Sequence, residues 1–494
     1  MQLRILAVFS FCILAGLSSG CQSHTHIYPR SSANSKSALL AAPAPLPILK
    51  TGKNRDLGRP ADFEIKKKDP TLAELINLGL QNNPQTRISW DRIKKAKASL
   101  GVARSGYLPT VSGAACATRS KQVSGLTDGS YLETLYDASL SVNYTLFDFG
   151  ERKWVNSEAK KLIVAATHHY DQTLQNIIQL IKTNYYTYLF ELSMLQAKLA
   201  DRDNALAAYE IALAKYESGV NDKQDSAMAK TTYMQAITEL TQQKKQADMA
   251  MESLLHSVGF PFETELKLGG FGEIDDITPA LHNSEALVDL AFKTRPDLKA
   301  LRAQIEAKQA DVRYKKAQGY PKVSASASVG HAHYPSSHIS GTEFSAGAQI
   351  SVPLFTGLYH TYKAKESKAE LEEAKSDLEQ REMDIIRDIL DAEVGLKSAS
   401  VELRSSAEYF EASKTSYEIT LAKYKSGTSP LLDLIQAQTH LADARSQVIL
   451  AKKNWFSSLT DLGHATGMLS QEMIEGVPMG TIKPKERPMQ KEAP

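Results

Sequence analysis

Two rhythms of apolar and polar residues alternate along this chain. The first has period two. Ala138, Leu140, Val142, Tyr144 and Leu146 are separated by Ser139, Ser141, Asn143 and Thr145. The pattern returns at Val323, Ala325, Ala327 and Val329, with Ser324, Ser326 and Ser328 between them. It returns again at Phe344, Ala346, Ala348, Ile350 and Val352, with Ser345, Gly347, Gln349 and Ser351 between them. Successive side chains of a strand point to opposite faces, so each run predicts a strand with one apolar and one small-polar face. A fourth strand near Val111 to Thr118 is weaker, because both of its faces are small. Runs of about 9–11 residues divided in this way suit a transmembrane barrel strand. They suit equally a soluble antiparallel sheet that lays its apolar face on a core. Alternation alone leaves both open.

The second rhythm has a period near 3.5. From Glu151 to Ser218 there is neither Gly nor Pro, room for one unbroken helix of about 100 Å at 1.5 Å per residue. Its apolar positions step by four and three through Leu174, Ile178, Ile181, Tyr185, Tyr188, Leu192, Leu195, Leu199, Leu206, Tyr209, Leu213 and Tyr216, interrupted by Arg202. A second seam runs through Ile386, Ile389, Leu396, Leu403, Phe410, Tyr417, Leu421 and Tyr424, broken by Glu393, Ser400 and Lys414. A sustained period of 3.5 predicts helices supercoiled against neighbours. Helices of this length exceed an ordinary globular core and must run side by side in something elongated. Leu72 to Gly106, charged and alanine-rich, is also helical in period. Past the N-terminus no run approaches the ~18–20 apolar residues of a spanning helix. If the chain crosses a membrane, it does so as a β-barrel.

The two rhythms come in a fixed order, twice. LGLQNNPQTR (Leu78–Arg87) answers LAFKTRPDLK (Leu290–Lys299), and SGYLPTVSGAA (Ser105–Ala115) answers QGYPKVSASAS (Gln318–Ser328). TLFDFG (Thr145–Gly150) answers PLFTG (Pro353–Gly357), and LAKYESG (Leu213–Gly219) answers LAKYKSG (Leu421–Gly427). The offsets are 212, 213, 208 and 208, and four landmarks in one order mark an internal duplication. Gly219 and Gly427 stand where a left-handed residue would stop each long helix. Thr428-Ser429-Pro430 then offers a hydroxyl to cap the next helix and a proline for its first turn. Each LAKY-x-SG therefore marks the far end of a helical hairpin, away from the strands.

The ends of the chain read differently. MQLRILAVFSFCILAGLSSGC has one basic residue, an apolar stretch and then small residues, the grammar of a signal peptide over 1–20. Its small residues run into Cys21 and resemble a bacterial lipobox, although Ser18 stands where Leu is usual. That likeness implies a thiol acylated with diacylglycerol, with ordinary signal cleavage as the alternative. Gln22 after the cysteine favours sorting to the outer membrane. Residues 21–70, punctuated by prolines, predict a lipid-anchored tether. The repeats occupy 71–258 and 284–467, with a connector at 259–283. The Lys-, Glu- and Pro-rich stretch 468–494 predicts a disordered tail. With Cys12 in the signal and Cys21 lipidated, only Cys116 remains, so no internal disulfide holds the fold. Basic and acidic residues nearly balance, at 58 and 56, without the concentrated basic excess of a nucleic-acid binder.

Little in the chain suggests chemistry. His331, His333 and His338 fall in GHAHYPSSH, read as a polar loop after a strand and lacking the Cys or carboxylate support of a metal site. His168 and His169 are adjacent on a helix and cannot face one ligand together. There is no phosphate-binding loop, zinc-protease motif or plausible triad, so neither an enzyme nor a cofactor is expected.

The NNP and RPDL segments, the GY-x-P strand starts, the LF-x-x-G and PLFTG strand ends and the paired Y-x-x-G turns together resemble the TolC-like outer-membrane efflux protein family. The resemblance spans about Thr71 to Gly467. It implies an α+β membrane protein assembled as a homotrimer. Four strands per chain would make a 12-stranded barrel in the outer membrane of a Gram-negative bacterium, continuous with a periplasmic α-helical barrel of coiled-coil hairpins. One chain's four strands could not close a barrel, and an open edge in lipid is forbidden. The resemblance further implies an exit duct for small molecules, served by an inner-membrane pump and by a periplasmic adaptor docking on the turns at Gly219–Val220 and Gly427–Thr428. Tyr424, Gly427 and Asp433 match the family's gate-forming turn, and Asp225 follows Gly219 by the same six positions as Asp433 follows Gly427. Together these carboxylates would ring the mouth and favour cations. They would equally suit the first turn of any helix, where the dipole welcomes them. Ser429 stands where some members have a locking arginine, and Gln436 where they have a second acid. A duct for type I protein secretion and a structural periplasmic coiled-coil lipoprotein are the alternatives.

Overall fold

The computed structural model describes residues 70–124, 129–219, 222–260, 268, 271 and 284–469. The expected signal peptide, Cys21 and tether, the residue Val220, most of the connector and the tail beyond 469 lie outside the described residues. Two copies of one unit follow each other. The first is α1 (Leu72–Asn82), α2 (Pro84–Ser105), β1 (Thr110–Ser124), β2 (Gly129–Phe147), α3 (Glu151–Glu217) and α4 (Lys223–Val258). The second is α5 (Ser284–Thr294), α6 (Pro296–Ala317), β3 (Lys322–Tyr334), β4 (Ile339–Ser351), α7 (Tyr359–Lys425) and α8 (Leu431–Ala465). Both long helices, α3 and α7, have 67 residues. No described helix is long and apolar enough to cross a membrane.

The stretch from Leu72 to Gly106 is two helices, not one. Asn83 adopts an extended backbone (φ −65°, ψ 126°) and its Oδ1 accepts from the Gln85 amide at 2.9 Å. Pro84 follows at the first position of α2, where its missing N–H costs nothing. Arg295 and Pro296 repeat the break between α5 and α6.

The four strands form one antiparallel sheet in the order β1-β2-β3-β4. They are longer than the alternation predicts, at 15, 19, 13 and 13 residues. The register puts Leu140 between Gly113 and Val329, and Val142 between Val111 and Ala327. It puts Ser141 between Ser112 and Ser328. The hydroxyls of Ser112 and Ser141, and of Ser328 and Ser345, pair at 2.8 Å on the polar face. The apolar face is bare: Leu140 is 57% exposed and Phe344 86%. A soluble sheet would lay that face on a core; here no described helix covers it. The loop expected around the histidines is shorter than the sequence suggests. β3 runs on to Tyr334, so His331 and His333 sit on the sheet's apolar side, where His333 pairs with Tyr136 and stacks on it at 6.4 Å.

The expected seam is buried at Ile178, Ile181, Tyr188, Ile389, Leu403, Tyr417 and Tyr424, but toward the end of α3 the buried line shifts by one position. Beyond residue 190 of α3 the buried positions are Ala197, Ala205, Ala208 and Ala212, while Leu199 and Tyr216 are exposed. In α7, Glu393 and Ser400 belong to the buried line that they were expected to interrupt, and Ile386 lies outside it. Interaxial distance depends on the side chains at the contact, so alanine and serine let these helices approach closely. Ala208 and Ala212 pack into a cluster with Tyr417, Tyr424, Leu434 and Leu441. A second core, midway along the helices, joins Leu75, Ile76, Ile178, Ile181, Leu254 and Val258.

Candidate functional site: the paired turns at the helix ends

Both long helices stop as their glycines predict. Gly219 has φ 73° and Gly427 φ 79°, and a Cβ added at either would meet nothing within 4 Å. Glycine is required there by the left-handed backbone, not by crowding. At the second turn the Gly427 amide donates to the Tyr424 carbonyl at 3.1 Å, and the Thr428 amide donates to Lys423 at 2.9 Å. That pair of bonds is a Schellman closure of α7. The Thr428 hydroxyl also donates to the Lys423 carbonyl, at 3.1 Å. It therefore closes the helix behind it and does not cap the helix ahead. Pro430 is the N-cap of α8, with no side-chain bond.

Asp225 and Asp433 each lie in the first turn of their helix, α4 and α8. There the resemblance ends. Asp225 is half-buried, close enough to Tyr424 for its charge to add to burial in pushing that phenol's pKa up. Asp433 is exposed and accepts from the Ser429 hydroxyl at 2.8 Å. Tyr424 is 1% exposed. The Lys215 ammonium lies 4.0 Å from its ring centroid and donates to its carbonyl oxygen at 2.5 Å. Lys215, Asp225 and Tyr424 line one cleft of about 620 Å³ with Gly427, Ser429 and Pro430. The structure thus gathers Tyr424 and Asp225 around Lys215 and leaves Asp433 outside. Of the turn residues, Val220 lies outside the described residues.

Lys215 is the functional candidate that sequence reasoning passed over. Its signal was present: it is the lysine of LAKYESG, repeated as Lys423 in LAKYKSG. Elsewhere, no described group of three His, Cys, Asp or Glu residues is placed to hold a metal ion.

The sequence model of a family described as outer membrane efflux protein matches residues 75–259 and 287–468. The chain is 27% identical over 307 residues to the solvent efflux pump outer membrane protein SrpC of Pseudomonas putida, a match covering 58% of this chain and 62% of that protein. It therefore spans less than two thirds of that relative's length. It is 25% identical over 415 residues to the protein CyaE of Bordetella pertussis, covering 83% of this chain and 86% of the other. Among solved structures, the CmeC outer membrane channel of Campylobacter jejuni superposes with a TM-score of 0.72 at 17% identity, covering 84% of this chain and 90% of that one. The outer membrane protein VceC of Vibrio cholerae gives 0.69 at 20% identity, covering 80% and 96%. These structural likenesses speak for the fold: long helices continuous with a four-stranded sheet in each chain. With the matched stretches covering most of the chain, and falling one on each copy of the duplicated unit, the protein belongs to the outer membrane efflux protein family.

Proposed function

We propose that this chain is the exit duct of a tripartite efflux system. Three copies close a 12-stranded barrel in the outer membrane of a Gram-negative bacterium, and their helices enclose a periplasmic tunnel. The duct is passive: an inner-membrane pump supplies energy, and a periplasmic adaptor docks at the turns around Gly219–Val220 and Gly427–Thr428. Adaptor binding would splay the hairpins and widen a mouth controlled by Tyr424, Asp225 and Asp433. Cys21, acylated, would anchor each copy to the periplasmic leaflet, which palmitate labelling lost in Cys21→Ala would test.

The observation that carries this reading is the unfinished sheet. Among the described residues β1 and β4 each have a neighbour on one side only, and the apolar face is bare. Neither feature is stable in lipid or water for a lone chain, because an open edge invites pairing and a barrel must close. Three copies joined β4 to β1 remove every edge. Small-molecule cargo is supported by relatives whose names refer to solvent and toluene efflux. The purified protein in a planar bilayer should give discrete, cation-preferring conductance steps. Silence at every voltage would sink the duct.

A further inference from the structure

The contact between Lys215 and Tyr424 is one half of a relationship that the duplication writes twice. Moving each member forward by one repeat turns Lys215 into Lys423 and Asp225 into Asp433. Tyr424 becomes Tyr216, which must then come from the next copy in a ring. Within the chain the first set is closed: Lys215 rests on the buried Tyr424, with Asp225 beside it. The second set is exposed at every position, and of its members Asp433 is held by the Ser429 hydroxyl. Tyr216 is 41% exposed, against 1% for Tyr424, while Lys423 and Asp433 are exposed. Among the described residues, the Lys423 side chain has no hydrogen bond or ion pair. The same residue types therefore stand on both flanks of the paired turns, with the lysine seated on the tyrosine ring on the inner flank and the lysine and tyrosine both exposed on the outer ones.

We propose that Lys423 and Asp433 of one copy receive Tyr216 of the partner subunit, so that the mouth is ringed by six Lys–Tyr junctions, three within chains and three between them. The proposal rests on the trimeric reading above and adds to it which residues join the subunits at the periplasmic end. A lysine above a tyrosine face is attractive on its own, and the acid alongside balances its charge. The two kinds of junction are not equal. The inner one rests on a buried ring and its backbone carbonyl, and the outer one is assembled from side chains exposed in the single chain. The outer junctions are therefore where the mouth parts when the hairpins splay.

Both outer residues are exposed, so their replacement leaves the chain's own packing intact. The test uses the full-length protein carrying Cys116→Ser, with Tyr216→Cys and Lys423→Cys introduced singly and together and treated with a short bismaleimide. The proposal expects a denaturation-resistant ladder of dimer and trimer from the double variant and none from either single variant. Native mass measurement on the same samples separates the two readings. A trimer without the ladder overturns the Tyr216–Lys423 junction and leaves the assembly standing. A monomer overturns both.

Discussion

Arg295, 1% exposed, donates from Nη1 to the Ala465 carbonyl at 2.9 Å and so ties the start of α6 to the last turn of α8. Its counterpart in the first unit is Asn83, whose Nδ2 donates to the Ser257 carbonyl in the last turn of α4 at 3.1 Å. One repeat uses a neutral amide and the other a buried cation for the same closure. The guanidinium must also be neutralised. Its Nε and Nη2 reach both oxygens of Asp297 at 3.1 and 2.8 Å, and Arg381 joins that carboxylate at 2.9 Å.

The asymmetry predicts unequal costs. Asp297→Ala removes both close carboxylate hydrogen bonds of a buried guanidinium, leaving only the Asp388 carboxylate at 4.0 Å to balance its charge, and should cost about 3–5 kcal/mol. Asn83→Ala leaves one buried carbonyl without its donor, about 1–3 kcal/mol. Denaturant unfolding in detergent would compare them, and equal losses would show that the charge at Arg295 carries no extra weight.

Acid should attack the same cluster. Burial pushes the Asp297 carboxyl up, but Arg295 and Arg381 outweigh it and hold the pKa below its ordinary value. A carboxylate depressed in the folded state stabilises fully above the unfolded pKa, about 3.9, and loses that stabilisation as pH falls toward the folded pKa. Between pH 6 and pH 3 the melting temperature of the wild type should fall further than that of Asp297→Asn. Parallel curves would remove Asp297 from the acid response.

Two glycines separate backbone strain from crowding. Gly427→Ala has open space and a left-handed backbone, so it should cost only the conformational penalty of about 1–2 kcal/mol. At Gly467 (φ 71°) a Cβ would also lie 3.0 Å from Arg295 Cγ and 3.1 Å from its Cα. Gly467→Ala should therefore destabilise more than Gly427→Ala. The reverse order in thermal melts would contradict this account of the α8 terminus.

Under the gate reading, Asp433→Ala should raise closed-state conductance and weaken block by cations in single-channel recordings. Lys215→Ala should loosen the mouth by another route, removing the ammonium that bridges the end of α3 to the ring and carbonyl of Tyr424. An unchanged trace for Asp433→Ala would leave that residue with only its place in the first turn of α8.

The barrel closure can be tested with one native thiol. Cys116 pairs with Asp137 and is exposed on the sheet's polar side. If β4 of one copy pairs with β1 of the next, a cysteine on the same face of β4 will form a reducible dimer with it. Gly347→Cys or Gln349→Cys should do so, whereas Ala348→Cys, on the opposite face, should not. Cross-linking at 348 alone would place the faces the other way round.

Much of this protein was legible in its sequence because the signals are local. Period two set the strands, period 3.5 set the two long helices, and Gly219 and Gly427 marked their ends through a backbone conformation that few other residues tolerate. The duplication was visible in four landmarks. What the sequence could not say is which member of each repeated pair is buried. Tyr216 and Tyr424 sit in the same seven-residue phrase, yet one is exposed and the other enclosed by Lys215. Toward the end of α3 leucines and tyrosines looked like the seam, and alanines turned out to be its centre. Alternation could not tell a lipid-facing sheet from a soluble one; the tertiary structure adds that no described helix covers the apolar face. The reason is common to all three. Local pattern fixes what a segment can become, whereas burial depends on which distant segment arrives beside it, and only the assembled structure decides that.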